Sequence, residues 1–188
     1  MRQYAELKKK LRRQYLGGSR KNLLMAWLSK ADSYDIYRFL LHLRRYEYLI
    51  TRPITLLKKL QRFWNLRQYQ TFSKRLGYMI GDGVLGQDVV LYHRGSIFIN
   101  PSVRMGAGCK FHGDCCLGVA HTGKSGCPTL GNGVDVGIGA RILGDIYIAD
   151  NIVIGANAVV TSSFHEPGIT IAGIPAGKIT NTPVEKIL

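Results

Sequence analysis

The C-terminal part of the chain repeats an aliphatic residue at every sixth position. The series is Leu130, Val136, Ile142, Ile148, Ile154 and Val160. An α-helix, with its period of about 3.6, and a strand that alternates its two faces do not stay in phase with a period of six. A coil of three short strands and three tight corners does, because each side buries one residue of every six. The pattern predicts a parallel β-helix of triangular section.

Two interruptions break this repeat. One side of the coil carries a seven-residue insertion inside 119–129, and the step from Leu91 to Ile99 is eight residues instead of six and contains His93. Insertions can be neutral surface features, but a histidine and a glycine-rich loop on neighbouring coils favour functional side chains. We expect the corners at glycines that need freedom in φ. These are Gly131, Gly137 and Gly155.

The residues before Gly77 predict basic helices, with apolar residues at helical spacing over about 35–50 and again over about 53–71. The second segment contains Leu56, Leu57, Leu60, Phe63 and Trp64. We therefore expect a basic helical region, 1–76, and a β-helix domain with a C-terminal tail, 77–188. The fold class is mainly β with an N-terminal α-helical region. Nineteen Lys and Arg against four acidic residues give the first region a charge of +15, whereas seven against eight give the second −1.

The basic helices leave three interpretations open: contact with anionic lipid, contact with nucleic acid, or solvated faces. No nucleic-acid module is recognisable, so nucleic acid is the least favoured partner. No apolar run approaches the ~18 residues of a membrane span, and the basic N-terminus lacks the apolar region of a signal peptide. We expect a cytoplasmic protein, with the inner face of the membrane as the place of any lipid contact. The four cysteines have no metal-binding spacing, so reduced thiols and no metal site are expected.

Four stretches carry a resemblance to a known family. They are YHRGSIFINPSVRMGAGCKFHG, HTGKSG, GVDVGIGARILGDIYIADNIVIGANAVV and ITIAGIPAGKI. Together they resemble the hexapeptide-repeat acyltransferases, in the serine-acetyltransferase-like branch that includes O-acetyltransferases of bacterial polysaccharides. The resemblance covers about 77–179. It implies a left-handed β-helix and a homotrimer, with acetyl-CoA as co-substrate in the groove between adjacent prisms.

Transfer of an acetyl group from a thioester to a hydroxyl needs a base for the hydroxyl and donors for the oxyanion. Histidine is the usual base near neutral pH. The resemblance matches His93 to the histidine that deprotonates the acceptor, and His112, roughly one coil on, is expected to assist. Three groups remain open as the one that orients His93: Asp82, a backbone carbonyl or Tyr78.

The resemblance also implies where the co-substrate lies. Contacts are expected at main-chain groups near Gly118 and Val119, then at Ile138 and Ala156 along the wall of the groove. Lys178 in the tail is able to meet a phosphate, although an ordinary surface lysine is the alternative.

The chain departs from serine acetyltransferase at positions that recognise the amino acid. Tyr92 precedes His93 where those enzymes have an aspartate, and Cys127 and Pro128 follow the glycine-rich loop where they have a second histidine. We therefore expect an acetyl-CoA-dependent O-acetyltransferase acting on a sugar hydroxyl of a cell-surface polysaccharide or its precursor. Serine O-acetyltransferase and a non-catalytic trimeric β-helix scaffold are the alternatives.

Overall fold

The computed structural model describes residues 2–53, 55–121 and 126–180. The chain divides into two units, Met1–Asp82 with His93–Gly95, and Gly83–Tyr92 with Ser96–Leu188. The predicted boundary at Gly77 falls where the last helix ends; the first unit runs on to Asp82 and takes in three later residues.

Within the described residues, the first unit holds four helices and a short strand. They are α1 (Arg2–Leu16), α2 (Arg20–Leu28), α3 (Asp32–Ile50), α4 (Leu56–Leu76) and β1 (Tyr78–Ile80). The hydroxyls of Ser19 and Thr55 accept hydrogen bonds from the first turns of α2 and α4, so each helix begins at an N-cap. Gly77 ends α4 with a φ of 80°, which is the usual left-handed C-cap. No helix in the described ranges is both long and apolar enough to cross a bilayer.

The apolar pattern of α3 and that of α4 have different outcomes. On α3, the apolar residues Ile36, Phe39, Leu40 and Leu43 of the predicted segment are at most 2% exposed and form the core of the unit, while Tyr46 at the same spacing is half-buried. On α4, the apolar residues of the predicted segment face solvent, and the buried residues are Asn65, Phe72, Ser73 and Leu76. The spacing therefore predicted a helix in both places but identified the buried face only in α3.

The second unit is a coil in which successive strands from β2 to β12 belong to three sheets in turn. The first sheet contains β2 (Val90–Leu91), β5 (Lys110–Phe111), β8 (Asp135–Val136), β11 (Val153–Ile154), β13 (Thr170–Gly173) and β14 (Ala176–Thr180). The second contains β3 (Ile97–Ile99), β6 (Cys116–Gly118), β9 (Arg141–Leu143) and β12 (Val159–Val160). The third contains β4 (Arg104–Met105), β7 (Thr129–Leu130) and β10 (Tyr147–Ile148). Within this unit neighbouring strands are parallel except β13 and β14.

The six aliphatic residues of the repeat fill the inside of this coil. All six are at most 2% exposed, and on the first sheet Phe111, Val136, Ile154 and Ile171 stack in register. The predicted mainly β fold with N-terminal helices is confirmed. All four cysteines are free, and burial raises the pKa of the thiols of Cys109 and Cys115, which keeps them protonated.

The corner glycines are required because the neighbouring coil leaves no room for a Cβ. They are not required by a left-handed backbone φ, so the prediction was wrong on this point. Gly131, Gly137 and Gly155 are absent from the left-handed region, which the backbone enters two places later, at Gly133 and Gly139. A Cβ added at Gly137 would lie 2.6 Å from the carbonyl oxygen of Ile154 on the next coil. Glycine is required there because successive coils approach too closely for any side chain.

Candidate active site

His112 lies directly after β5, on the outside of the coil. Its backbone N–H donates to the carbonyl of Val136 at 3.1 Å, so the β-helix ladder fixes its main chain. Its side-chain Nε2 lies 2.8 Å from Oδ1 of Asp135, which belongs to the neighbouring strand β8. The imidazole thus reaches back to a carboxylate that the ladder has aligned with Lys110.

The carboxylate of Asp135 contacts two side chains at once, the ammonium of Lys110 and the imidazole of His112. Its Oδ2 is 3.4 Å from Nζ of Lys110, while Oδ1 accepts from His112 at 2.8 Å. The side chain of Asp135 is 25% exposed and that of His112 39%, so the pair is partly shielded and remains accessible. When Nε2–H of a neutral imidazole donates to a carboxylate, Nδ1 is left with a lone pair. This arrangement fixes the orientation and tautomer that a general base needs.

Tyr92 fixes the plane of the His112 ring. The two rings stack with centroids 4.5 Å apart and an angle of 18° between their planes. This contact follows from register, because Leu91 pairs with Phe111 and the next residues on the two strands are Tyr92 and His112. The residue opposite His112 is therefore Tyr92, and His93 lies one place further along the chain, as its spacing predicted.

His93 belongs to the first unit, and its main chain is held there by a buried phenol. The hydroxyl of Tyr78 donates to the carbonyl of His93 at 2.7 Å. Tyr78 is only 4% exposed, and this burial raises its pKa, so the hydroxyl stays protonated as a donor. Next along the chain, Arg94 forms an ion pair of 2.5 Å with Asp32. Of the three groups left open by the sequence, Tyr78 contacts His93, and it does so through the backbone.

The residues predicted to bind the co-substrate lie in the second unit. Gly118 is buried and its carbonyl accepts from the N–H of Gly144 at 2.8 Å. The side chains of Val119 and Ile138 are 38% and 48% exposed, and Ala156 is exposed as well.

Two further positions bear on the predicted co-substrate site. Lys178 is paired with Glu166, its Nζ lying 2.6 Å and 2.8 Å from the two carboxylate oxygens. In the glycine-rich loop, residues 122–125 lie outside the described residues. Ala120, which precedes this loop, and Gly126, which follows residues 122–125, line a pocket of about 270 Å³ together with Leu143 and Asp145.

The sequence alone did not single out Asp135 or Lys110. A signal was present, because each precedes a buried residue of the repeat by one place and therefore points outward. One coil of eighteen residues, lengthened by the seven-residue insertion, gives the twenty-five residues that separate the two. Reading the insertion as part of the coil length would have aligned Lys110 with Asp135. Among the described residues, no three His, Cys, Asp or Glu converge as a metal site.

Comparisons with known proteins concern mainly the β-helix. No family model matches the chain. A serine acetyltransferase of Helicobacter pylori (strain ATCC 700392 / 26695) is 40% identical over 106 residues, which is 56% of this chain and 50% of that protein. The predicted resemblance to the hexapeptide-repeat acyltransferases is confirmed. The chain spans about half the length of the curated serine acetyltransferases that it matches.

Two other similar proteins support the same resemblance to acetyltransferases. The Escherichia coli K12 protein WcaB, named as an acetyltransferase of colanic acid biosynthesis, is 29% identical over 96 residues, covering 50% of this chain and 59% of its own. The crystal structure of Neisseria gonorrhoeae serine acetyltransferase (CysE) is similar with a TM-score of 0.56 and 28% identity, over 79% of this chain and 55% of that one. Both are named as acetyltransferases, so the chain is similar to acetyltransferases in sequence and in structure.

Proposed function

We propose that the protein is an acetyl-CoA-dependent O-acetyltransferase in which His112 is the general base. The observation that carries this proposal is the hydrogen bond between His112 and Asp135, which leaves the other ring nitrogen to accept a proton. Nδ1 takes the proton of the acceptor hydroxyl as its oxygen attacks the thioester carbonyl. The C–O bond forms, the C–S bond of the tetrahedral intermediate breaks, and the proton passes to the departing sulfur. Asp135 stabilises the transient imidazolium.

The co-substrate is expected along the exposed apolar surface of the β-helix. The exposed side chains of Val119, Ile138 and Ala156 suit a long thin ligand whose arm is largely apolar. Lys178 would have to exchange Glu166 for a phosphate, which is an ordinary ion-pair exchange at a surface. The resemblance supports a left-handed coil and a homotrimer, in which two neighbouring prisms form the walls of the groove.

The acceptor we propose is a sugar hydroxyl of a cell-surface polysaccharide or its precursor. The similarity to WcaB supports it, as does the loss of the residues that recognise serine, with Tyr92 and Cys127 standing in their places. Serine O-acetyltransferase is the second candidate, favoured by the higher identity to the Helicobacter protein. Scaffold function is the third, and the solvent-accessible His112–Asp135 pair argues against it.

An acceptor panel tests the proposal. Release of the CoA thiol from acetyl-CoA is followed with serine, nucleotide-linked sugars and lipid-linked sugars as acceptors. We expect turnover with a sugar and none with serine above the rate of hydrolysis. Turnover with serine and not with any sugar would establish the second candidate, while binding of acetyl-CoA without turnover on any acceptor would favour the scaffold.

Two histidine variants test the base. Because a general base contributes roughly 10² to 10⁴-fold, His112→Ala should lower kcat by that factor with little change in acetyl-CoA affinity. His93 is the base that the resemblance favours, so His93→Ala is the matched comparison in the same assay. A large loss in His93→Ala alone would move the base to His93.

A further inference from the structure

The first half of α4 presents an apolar face to solvent. This face, the α4 stripe, consists of Leu56, Leu57, Leu60, Phe63 and Trp64, which are between 59% and 76% exposed. Because a helix has about 3.6 residues per turn, these five side chains share one sector roughly 120° wide. Isolated exposed apolar residues are ordinary, but five contiguous large ones are not.

The α4 stripe is not an incompletely covered part of the helical core. The side of α4 that packs against α3 is the opposite one, and it carries Asn65, Phe72 and Leu76. Asn65 fixes this rotation, because its Oδ1 is 3.0 Å from Nδ1 of His42 on α3 and its Nδ2 donates to the carbonyl of Gln61 at 2.7 Å. The helix therefore cannot turn its stripe inward without breaking a buried hydrogen-bond network.

The sequence around the stripe is rich in cations. Between residues 48 and 81 the chain has seven Lys and Arg and no Asp or Glu. At about 100° per residue, Arg67 falls within the sector of the stripe and Lys59 falls beside it, and in the described part of the chain neither forms an ion pair. The guanidinium of Arg67 lies 6.0 Å from the centre of the Phe63 ring, at the end of the stripe. Lys59 and Arg67 therefore offer positive charge at the stripe to an anionic partner.

We propose that the α4 stripe docks the protein on the surface of an anionic lipid bilayer. Leucine, phenylalanine and tryptophan side chains insert at the boundary of headgroups and acyl chains, while flanking cations attract anionic headgroups. A second copy of the same face would bring cations against cations, and nucleic acid offers no partner for three exposed leucines. Anionic lipid is complementary to both the charge and the apolar surface of the stripe. The proposal goes beyond the acetyl transfer and does not depend on it.

Sedimentation with vesicles tests this docking on the full-length protein. We expect binding to vesicles that contain phosphatidylglycerol, little binding to vesicles of phosphatidylcholine alone, and weakening at high salt, because charge attraction is screened. The double variant Leu60→Glu with Trp64→Glu should lose at least about tenfold in partitioning. Met79→Glu, at a position 68% exposed in β1, is the control with one added charge and should bind like the wild type.

The cations and the fold are checked separately. Lys59→Gln with Arg67→Gln should weaken binding to phosphatidylglycerol vesicles and leave the stripe itself intact. Unchanged thermal unfolding shows that the variants fold, as expected for exposed positions. Absence of wild-type binding at low salt, or equal binding by the Leu60 and Trp64 variant, overturns the proposal. So does a fall in the molecular mass of that variant by light scattering, which would make the stripe an interface between copies.

Discussion

Asp135 is the residue on which the proposed base depends. It lies 2.8 Å from the imidazole of His112 and 3.4 Å from the ammonium of Lys110, so the shorter contact belongs to the histidine. Both contacts are partly exposed, and a surface ion pair with lysine contributes little energy. The carboxylate therefore acts chiefly by orienting the ring, which is also stacked on Tyr92.

Replacing this carboxylate should affect catalysis more than folding. We expect Asp135→Asn to lower kcat by about tenfold or more, because each ~1.4 kcal/mol of lost transition-state stabilisation is a factor of ten. The KM for acetyl-CoA should change little. Lys110→Ala removes the other partner of the carboxylate and is the matched control, expected to keep most of the activity. Equal losses in both variants would mean that Asp135 serves the lysine and not the base.

The glycine corners give a second prediction at the scale of single residues. Gly137→Ala would place a Cβ 2.6 Å from a carbonyl oxygen and 2.7 Å from an amide nitrogen, both of them backbone atoms. The coils must shift, which should cost about 1–3 kcal/mol of unfolding free energy. Gly177 has no atom within 4 Å of an added Cβ and no left-handed φ, so Gly177→Ala should be nearly neutral. Urea unfolding of the two variants compares them; similar midpoints would contradict the close-approach explanation.

Among the elements, α3 and α4 are joined by a buried polar network centred on His42. Nε2 of this residue is 3.0 Å from Nη2 of Arg38, which can only donate, so Nε2 accepts and the proton sits on Nδ1. Nδ1 then donates to Oδ1 of Asn65 at 3.0 Å. Burial lowers the pKa of His42 below its usual 6.5, and the neighbouring Arg38 acts in the same direction. The neutral imidazole is the form that fits the network.

This lowered pKa predicts acid sensitivity of the helical unit. Protonation of His42 favours the unfolded chain, whose histidine titrates near 6.5. The contribution to stability is thus complete above that pH and is lost as the pH falls below it. We expect the thermal midpoint of the full-length protein, followed by helical circular dichroism, to fall between neutral pH and about pH 5. His42→Leu should be less stable but lose part of this pH dependence, whereas exposed His165→Gln should keep it. An identical slope in His42→Leu would assign the sensitivity to other groups.

For the whole molecule, the proposed co-substrate groove is the feature that would require more than one chain. Val119 and Ile138 are exposed apolar side chains of the β-helix, and a single prism would offer only one wall to a ligand between prisms. We expect a trimer by multi-angle light scattering at micromolar concentration. Substituting Ile138→Glu should lower both the trimer fraction and acetyl-CoA binding, while Ile174→Glu, which is 75% exposed in the tail, serves as the control. An active monomer would contradict the shared groove.

Much of the fold was accessible from sequence because its cause is local and repetitive. The period of six predicted the β-helix and its buried residues, since each coil buries the same positions regardless of what surrounds the molecule. Helical spacing predicted α3 with its core face. The resemblance supplied the reaction class. The sequence also singled out His112, in an assisting role, which stays a prediction.

Tertiary structure decided what depends on contacts between distant residues. Asp135 meets His112 across 23 residues, a separation set by a loop insertion whose position in the coil only the folded ladder fixes. The buried face of α4 was decided by the hydrogen bond that His42 on α3 donates to Asn65, because apolar residues occur on both sides of the helix and periodicity cannot choose between them. The need for glycine at the corner Gly137 likewise depends on the close approach of the backbone of the next coil. Sequence by itself determined the elements and their period, and the folded chain determined which side chains face each other, since those contacts depend on register and rotation.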